Sequence, residues 1–167
     1  MEKGNKRRLV FELVRERTRT SRAEIARMTG MSFPTAMKVV EEFLEKGLLE
    51  ELEELEPGVG GGRKGHMLRF VPGAYRAVGV ECEGQFAHVG LSDMMGKVLE
   101  RETIELGDFV HTRDLSPLAD AVNRMKQAAG GSPVLGICIG FPANMNQQEC
   151  AVVSYEAMGI EKHTPFA

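Results

Sequence analysis

The chain has 167 residues, a formal net charge of −3 and 43% hydrophobic residues, a composition typical of one ordinary or two small globular domains. No apolar run reaches the roughly 18 residues of a membrane span, and the charged start "MEKGNKRRLVFELVRER" lacks the apolar centre of a signal peptide. The three cysteines are far apart and odd in number, which fits neither a disulfide framework nor a cysteine metal site. We therefore expect a cytoplasmic protein with reduced cysteines, without a metal or a membrane partner.

Charge is unevenly distributed along the chain. Residues 1–76 contain 15 Lys and Arg against 12 Asp and Glu, whereas residues 77–167 contain 6 against 12. Five of the acids in the first part lie in one run, Glu50 to Glu56. Apart from that run the first part is clearly basic, so we expect it to be the part that meets a polyanion.

Two helices are predicted to open the chain. The segment "KRRLVFELVRER" places Leu9, Leu13 and Val14 on one face. In "TSRAEIARMTG", Ser21 and Glu24 have the spacing of a capping box, and the final glycine is a natural C-terminal stop.

A third helix is predicted within "MSFPTAMKVVEEFLEKGLL". Ser32 is its expected N-cap, Pro34 is tolerated in the first turn, and Gly47 ends it. Its apolar stripe comprises Ala36, Val40, Phe43 and Leu44. The short gap around Gly30 between the second and third helices is the spacing of a helix-turn-helix.

The glycine-rich stretch "PGVGGGRKGHM" lies between two strand-like segments, "LLEELEEL" and "HMLRFV". It satisfies the dinucleotide-binding pattern G-x-G-x-x-G, but that motif needs a helix after it, and here a strand follows. A flexible hairpin tip is one interpretation. The preferred one is the wing of a winged helix, whose Arg63 and Lys64 enter the minor groove of DNA.

A second region begins near Pro72 and is predicted to be a mixed α/β lobe. Strands are expected in "YRAVGVECEG", "FAHVGLSDMMGKVLERETIEL" and "PVLGICIGF". The helix in "SPLADAVNRMKQAAGG" is expected to be capped by Ser116, with Pro117 at its first position. One face of that helix carries Leu118, Val122, Met125 and Ala129.

The succession of these segments resembles the repressor branch of the ROK family of repressors and sugar kinases. "TSRAEIARMTGMSFPTAMKVVEEFLEKGLLEE" is similar to the winged helix of that branch, and "GGGRKGHMLRFVPGAYRAVGVECEG" to its wing, linker and first lobe strand. "VLGICIGFPANMNQQECAVV" is similar to a later strand and loop of the family. The resemblance implies a winged helix-turn-helix domain over residues 1–72, of class α+β. Residues 73–167 would form a shortened α/β lobe of the actin-like (ribonuclease H-like) kind.

The chain departs from the family's kinases where they hold ATP. Their Asp-x-Gly-Gly-Thr loop corresponds here to residues 81–85, and Glu83 replaces a glycine whose backbone must approach the phosphate. Ala143 and Asn146 replace a glycine and an aspartate of a second motif. The sugar-binding, catalytic and zinc-binding residues of the family have no counterpart here. We therefore expect no bound cofactor, no ATP binding and no catalytic residue; an effector sugar is possible but has no support in this chain.

The candidate base contacts lie at the start of the third helix, which a helix-turn-helix places in the major groove. They are Ser32, Phe33, Thr35, Met37 and Lys38. Phe33 and Met37 have the alternative of packing inside the domain. Arg22, together with Arg19 and Arg27, is a candidate phosphate contact, with solvated surface charge as the alternative.

Taken together, these features predict a DNA-binding transcriptional regulator, a repressor of carbohydrate-related genes that binds double-stranded DNA as a homodimer. They do not predict an enzyme. Two alternatives stay open, namely a protein-interaction module and a degenerate, inactive sugar-kinase fragment.

Overall fold

A computed structural model describes residues 3–52, 66–107, 112, 114–140, 144–146, 148, 151–154 and 164–165. The chain divides into two compact units, Met1–Ala74 (unit 1) and Tyr75–Ala167 (unit 2).

Unit 1 combines three helices with a small antiparallel sheet. In chain order its elements are α1 (Lys3–Arg15), β1 (Thr20–Ser21), α2 (Arg22–Thr29), α3 (Phe33–Glu45), β2 (Leu49–Leu52) and β3 (Met67–Phe70), followed by a 3₁₀ turn over Pro72–Ala74. The strands lie in the order β1-β3-β2, and both pairings are antiparallel. The three predicted helices and the two predicted strands are therefore present.

The core of unit 1 forms where α1 packs against α2, α3 and β3. Val10 and Val14 are buried, whereas Leu9 and Leu13 are only half-buried. The predicted inner face of α1 is thus rotated, because α1 also covers β3, where Phe11 makes an edge-on ring contact with Phe70 at 5.5 Å. A helical pattern in sequence does not reveal that second neighbour.

Local signals place the ends of α2 and α3. Ser21 accepts a hydrogen bond from the backbone N–H of Glu24, and the Glu24 carboxylate accepts one from the backbone N–H of Ser21, so the predicted capping box is confirmed. Gly30 follows α2 with a φ of 67°, a left-handed conformation that glycine adopts without strain. Ala36, Val40 and Phe43 of α3 are buried as predicted, and Leu44 is half-buried.

Unit 2 is built on a four-stranded mixed sheet with a helix on one face. Its elements are β4 (Arg76–Glu83), β5 (Phe86–Asp93), β6 (Val98–Glu105), α4 (Ser116–Ala128), β7 (Val134–Gly140), β8 (Asn144–Asn146), β9 (Ala151–Ser154) and β10 (Thr164–Pro165). The large sheet has the order β6-β5-β4-β7, in which only the β4–β7 pair is parallel. The last three strands form a separate small sheet.

The core of unit 2 lies between α4 and the large sheet. Alternating residues of β4 and β5 point to this side, and the predicted inner face of α4 is buried. Its members are Val78, Val80, Cys82, Ala87, Val89, Leu91, Leu106, Leu118, Ala121, Val122, Met125 and Ala129. Ser116, however, is the first residue of α4 and not its cap: its backbone N–H donates to Oδ1 of Asp114 at 2.9 Å.

Candidate nucleic-acid interface

The start of α3 is the exposed end of the pair formed by α2 and α3. The two helices pack through Ile25 and Ala26 on one side and the buried face of α3 on the other. Ser32, Phe33 and Lys38 are exposed, while Thr35 and Met37 are half-buried. The five predicted base contacts therefore lie at the N-cap and in the first turns of α3, three of them exposed and two half-buried.

Phe33 is the largest apolar side chain on this stretch, and 52% of it is exposed. It lies away from the side of α3 that is buried against the rest of unit 1, so the alternative of internal packing does not describe it. Met37 is half-buried, so part of its side chain packs inside the domain and part is exposed. A large exposed aromatic ring beside hydroxyl groups can make apolar contact with a thymine methyl group.

Two hydroxyl groups face each other at the N-terminus of α3. Oγ of Ser32 lies 2.9 Å from Oγ1 of Thr35, and the carbonyl of Ser32 accepts from the backbone N–H groups of Thr35 and Ala36. Ser32 therefore occupies the N-cap position as predicted, but its side chain does not cap the helix. The Ser-x-x-Thr spacing is the signal from which this pair was predictable, because residues i and i+3 share a helix face.

The guanidinium group of Arg22 is engaged with carboxylates. Its Nη2 contacts Oε1 of Glu51 on β2 and lies 3.4 Å from Oε1 of Glu41 on α3. The hydrogen bond from Arg22 lowers the pKa of the Glu51 carboxyl group. Arg22 is thus neither a freely solvated charge nor seen at a phosphate: it links β2 and α3 to the start of α2, and its phosphate contact stays a prediction. No local sequence pattern predicts the pairing of Arg22 with Glu51, because the two residues are 29 positions apart.

Other cations of unit 1 are left available. Arg17, Arg19, Arg27 and Lys38 are exposed, and none of them makes an ion pair with a carboxylate in the part of the chain that the structure describes. Arg7, Arg8 and Arg69, in contrast, are paired with Glu42, Glu12 and Glu50. Folding therefore divides these basic residues into a set paired with carboxylates and an exposed set without an ion pair. Within the second set, Arg17 and Arg27 lie near enough to Glu24 to contribute to the lowering of its pKa.

The C-terminal half of α3 carries three glutamates, and one of them, Glu42, is paired with Arg7 and Lys46. Hydrogen bonds from Arg7 and Lys46 lower the pKa of Glu42 to about 2, so this carboxylate is charged at all ordinary pH values. Glu41 and Glu45 are exposed on the same half of the helix. Carboxylates repel phosphate, so the N-terminal half of α3, which carries Lys38, is the half suited to approach DNA.

Strands β2 and β3 form the predicted hairpin, with Leu49 opposite Phe70 and Leu52 opposite Met67. Arg63 and Lys64 belong to the connecting segment and lie outside the described residues. Their role in a minor groove stays a prediction.

The kinase-like positions of unit 2 fall at the end of β4 and in the turn to β5. Glu83 pairs with Phe86 across a tight two-residue turn in which Gly84 has a φ of 57°. The side chain of Glu83 is 80% exposed, and its Oε2 lies 3.7 Å from Nε2 of His88. A carboxylate therefore stands beside the turn that the sequence resemblance aligns with the phosphate loop of ROK kinases.

Within the described part of the chain, no helix is long and apolar enough to cross a membrane. The same residues contain no group of three or more His, Cys, Asp or Glu side chains arranged to hold a metal ion.

The two units define a chain of mixed helices and sheets, in which a helical unit with a three-stranded sheet precedes an α/β unit. The same fold is found in the crystal structure of a ROK family transcriptional regulator, a homolog of the E. coli MLC protein. The match has a TM-score of 0.68 and 20% sequence identity, and covers 93% of this chain and 41% of that chain. No family model and no curated protein matches the sequence. The likeness confirms the ROK-repressor-like fold that the sequence resemblance implied.

Proposed function

We propose that this chain is a DNA-binding transcriptional repressor of carbohydrate-related genes that acts in the cytoplasm. Residues 1–72 would form a winged helix-turn-helix domain, with α2 and α3 as the helix-turn-helix and the β2–β3 hairpin as the wing. The observation that carries the proposal is the start of α3, where an exposed aromatic ring, two hydroxyl groups and an available lysine lie together. The fold shared with a ROK family transcriptional regulator supports it.

The available cations supply the affinity in this proposal. Arg19 and Arg27, just before and within α2, would contact phosphates, and Lys38 would reach a phosphate or a guanine. The base contacts would come from Phe33 and from the hydroxyl pair of Ser32 and Thr35, with Met37 beside them. Because α3 has no Arg, Asn or Gln near its start, direct readout in the major groove is weak, and the wing residues Arg63 and Lys64 would add recognition in the minor groove.

Residues 73–167 would form the sugar-kinase-like lobe, of the actin-like kind, without phosphoryl-transfer activity. The exposed carboxylate of Glu83 beside the β4–β5 turn supports this, because a negative charge there repels the phosphates of ATP. We propose no cofactor and no effector sugar for this lobe. A homodimer would bind paired half-sites and so reach the affinity that one small domain lacks.

Salt dependence tests the DNA-binding proposal. We expect the affinity of the whole chain for a fluorescent random-sequence duplex to fall roughly 100-fold between about 50 and 200 mM salt, because three or four phosphate contacts release that many counterions. The measurement is a fluorescence-anisotropy titration at several salt concentrations. Absence of binding at the lowest salt would contradict the proposal and favour the protein-interaction alternative.

The wing is tested by Arg63→Ala, compared with Lys38→Ala. We expect Arg63→Ala to cost about 1–3 kcal/mol on a duplex selected from a random pool, and much less on a scrambled duplex, because a guanidinium fits a narrow minor groove well. Lys38→Ala should cost less specificity. Arg63→Lys is the matched control: it keeps the charge but not the planar group, so it should restore only nonspecific binding. Equal weakening on both duplexes at one salt concentration would show that the wing contacts phosphate alone.

A further inference from the structure

The exposed surface at the start of α3 is mainly apolar. Phe33 is 52% exposed, Pro34 beside it is exposed, and Met37 is partly exposed. Residues 32–40 include no Arg, Asn, Gln, Asp or Glu. Those are the side chains that distinguish bases most sharply through their hydrogen bonds. Apart from two hydroxyl groups and one lysine, this surface therefore has to recognise a base through apolar contact.

The major groove of B-DNA offers such a surface one apolar group, the methyl on C5 of thymine. Cytosine that is methylated at C5 carries the same group at the corresponding position. Uracil has every hydrogen-bonding group of thymine and lacks only the methyl. A phenyl ring placed over C5 of the pyrimidine gains more apolar burial from a methylated base than from an unmethylated one.

Phe33 and Met37 have the spacing to meet methyl groups on neighbouring bases. Residues four apart share a helix face, with their Cβ atoms about 5–6 Å from each other. Successive bases of one strand are about 3.4 Å apart along the duplex, so the two side chains span one or two base steps. Phe33, the first residue of α3, is placed for the main contact, because the N-terminal residues of a recognition helix meet the base edges.

The hydroxyl groups on this surface do not distinguish thymine from cytosine. Oγ of Ser32 lies 2.9 Å from Oγ1 of Thr35, so one hydroxyl donates to the other. The pair keeps one O–H with which to donate and lone pairs with which to accept. In the major groove thymine offers an accepting oxygen and cytosine a donating amino group, and hydroxyls serve either. The methyl group is therefore the feature by which this surface tells pyrimidines apart.

We propose that Phe33, with Met37 one turn further along α3, recognises the C5-methyl group of pyrimidines in the major groove. Thymine and 5-methylcytosine are then bound alike, and uracil and unmethylated cytosine are bound more weakly. The inference rests on the proposed DNA binding by unit 1 and adds the chemical group that is recognised. Its consequence is that methylation of a cytosine at this place in a site raises the affinity of the protein for that site.

Base analogues test the inference with the whole chain and a duplex selected from a random pool. Each thymine is replaced in turn by uracil, and each T·A pair by a 5-methylcytosine·G or a cytosine·G pair. The comparison of thymine with uracil, and of 5-methylcytosine with cytosine, removes one methyl and leaves every hydrogen-bonding group in place. At one or two positions both comparisons should show about a fourfold loss of affinity, the effect of leaving one methyl-sized apolar group unburied. The measurement is fluorescence anisotropy at one fixed salt concentration.

Variants of the chain assign the effect to Phe33. Phe33→Ala should bring both affinity ratios to about one at the main position, while affinity for a random duplex stays within about threefold because the charge is unchanged. Phe33→Leu keeps an apolar side chain and should keep both ratios above one. Met28→Ala is the matched control, since Met28 is a large apolar side chain on α2 that is 45% exposed; it should leave both ratios at about four. Circular dichroism verifies that each variant keeps its helices.

Three results would overturn the inference. They are equal affinity for thymine and uracil at every position, a methyl effect with thymine but none with cytosine, and a methyl effect that persists in Phe33→Ala. In each of these cases binding to the random duplex leaves the proposed DNA-binding function standing. A chain that binds neither the selected nor the random duplex at low salt would instead overturn the proposed function, and this inference with it.

Discussion

Charge reversal at Arg19, Arg27 and Lys38 together is expected to lower the affinity of the chain for duplex DNA by about 100-fold or more at moderate salt. All three side chains are exposed and make no ion pair within the described residues, so their charge is available to phosphate. Replacing each by glutamate removes a favourable contact and adds a repulsive one. The measurement is the same anisotropy titration, with circular dichroism to verify that the helices are retained.

The control for this experiment is a reversal of equal size in unit 2. Lys97, Arg101 and Lys126 are also exposed, and their replacement by glutamate changes the net charge of the chain by the same amount. If DNA is bound by unit 1, this control should retain affinity to within about threefold, because exposed charges that do not contact the DNA are largely screened by salt. Equal losses in the two triple variants would mean that affinity follows total charge and that unit 1 is not the DNA-binding domain.

Leu68→Ala is expected to lower the free energy of unfolding of unit 1 by about 2–5 kcal/mol. Leu68 is fully buried on β3, the central strand of the small sheet, opposite both Thr20 of β1 and Glu51 of β2. Its truncation leaves a cavity where the sheet meets the helices, and neighbouring strands cannot close it without losing their register. Hydrogen exchange followed by mass spectrometry reads the loss in peptides from α2, α3 and β3.

Leu91→Ala provides the matched comparison in unit 2. Leu91 is 1% exposed on β5 and belongs to the core under α4. The Leu91→Ala substitution should lower the hydrogen-exchange protection of peptides from β4, β5 and α4 by a similar amount. Peptides of unit 1 should keep their protection. If Leu68→Ala lowered the free energy of unfolding by less than about 1 kcal/mol, the place of Leu68 in the core would be contradicted, since substitutions at exposed positions usually have effects of that small size.

The pairing of Arg22 bears on how the proposed interface is held together. Its guanidinium contacts one carboxylate from α3 and one from β2. The side chain is 24% exposed, so the contact is partly screened by solvent. Its consequence is mainly geometric: it fixes the base of the β2–β3 hairpin beside the start of α2. The contact thus links β2 and α3 to the start of α2, next to the exposed residues of α3.

The local structure of unit 1 was readable from short sequence signals. The capping box of Ser21 and Glu24, the left-handed glycine at position 30 and the proline in the first turn of α3 each act over three or four residues, and the structure contains all of them. The strands of the large sheet in unit 2 were predictable for the same reason, because apolar residues alternate with glycine and polar residues along β4 and β5. The three short strands β8, β9 and β10 were not predicted. The ROK-repressor-like fold was implied by the resemblance of these segments, in this order, to that family, and the structural match confirms it.

Features that depend on residues outside the local segment could not be predicted from such short patterns. The predicted inner face of α1 is confirmed at Val14, but Val10 is buried in place of Leu9 and Leu13, because the helix also packs against β3. Ser116 is predicted as the cap of α4 but is its first residue, and Asp114, outside the helix, accepts the hydrogen bond from its backbone N–H. In both cases the residues that decide the outcome, those of β3 for α1 and Asp114 for α4, lie outside the helix itself.

The sequence by itself determined which residues stand at the start of α3, since capping, proline placement and helical periodicity are local properties of the chain. Only the tertiary structure decided which cations remain available to a polyanion. Arg22 and Arg27 both belong to α2, yet Arg22 is paired with Glu51 and Glu41 whereas Arg27 is exposed without an ion pair among the described residues. The physical reason is that an ion pair needs two side chains within about 4 Å, and strand pairing brings together residues far apart in the chain.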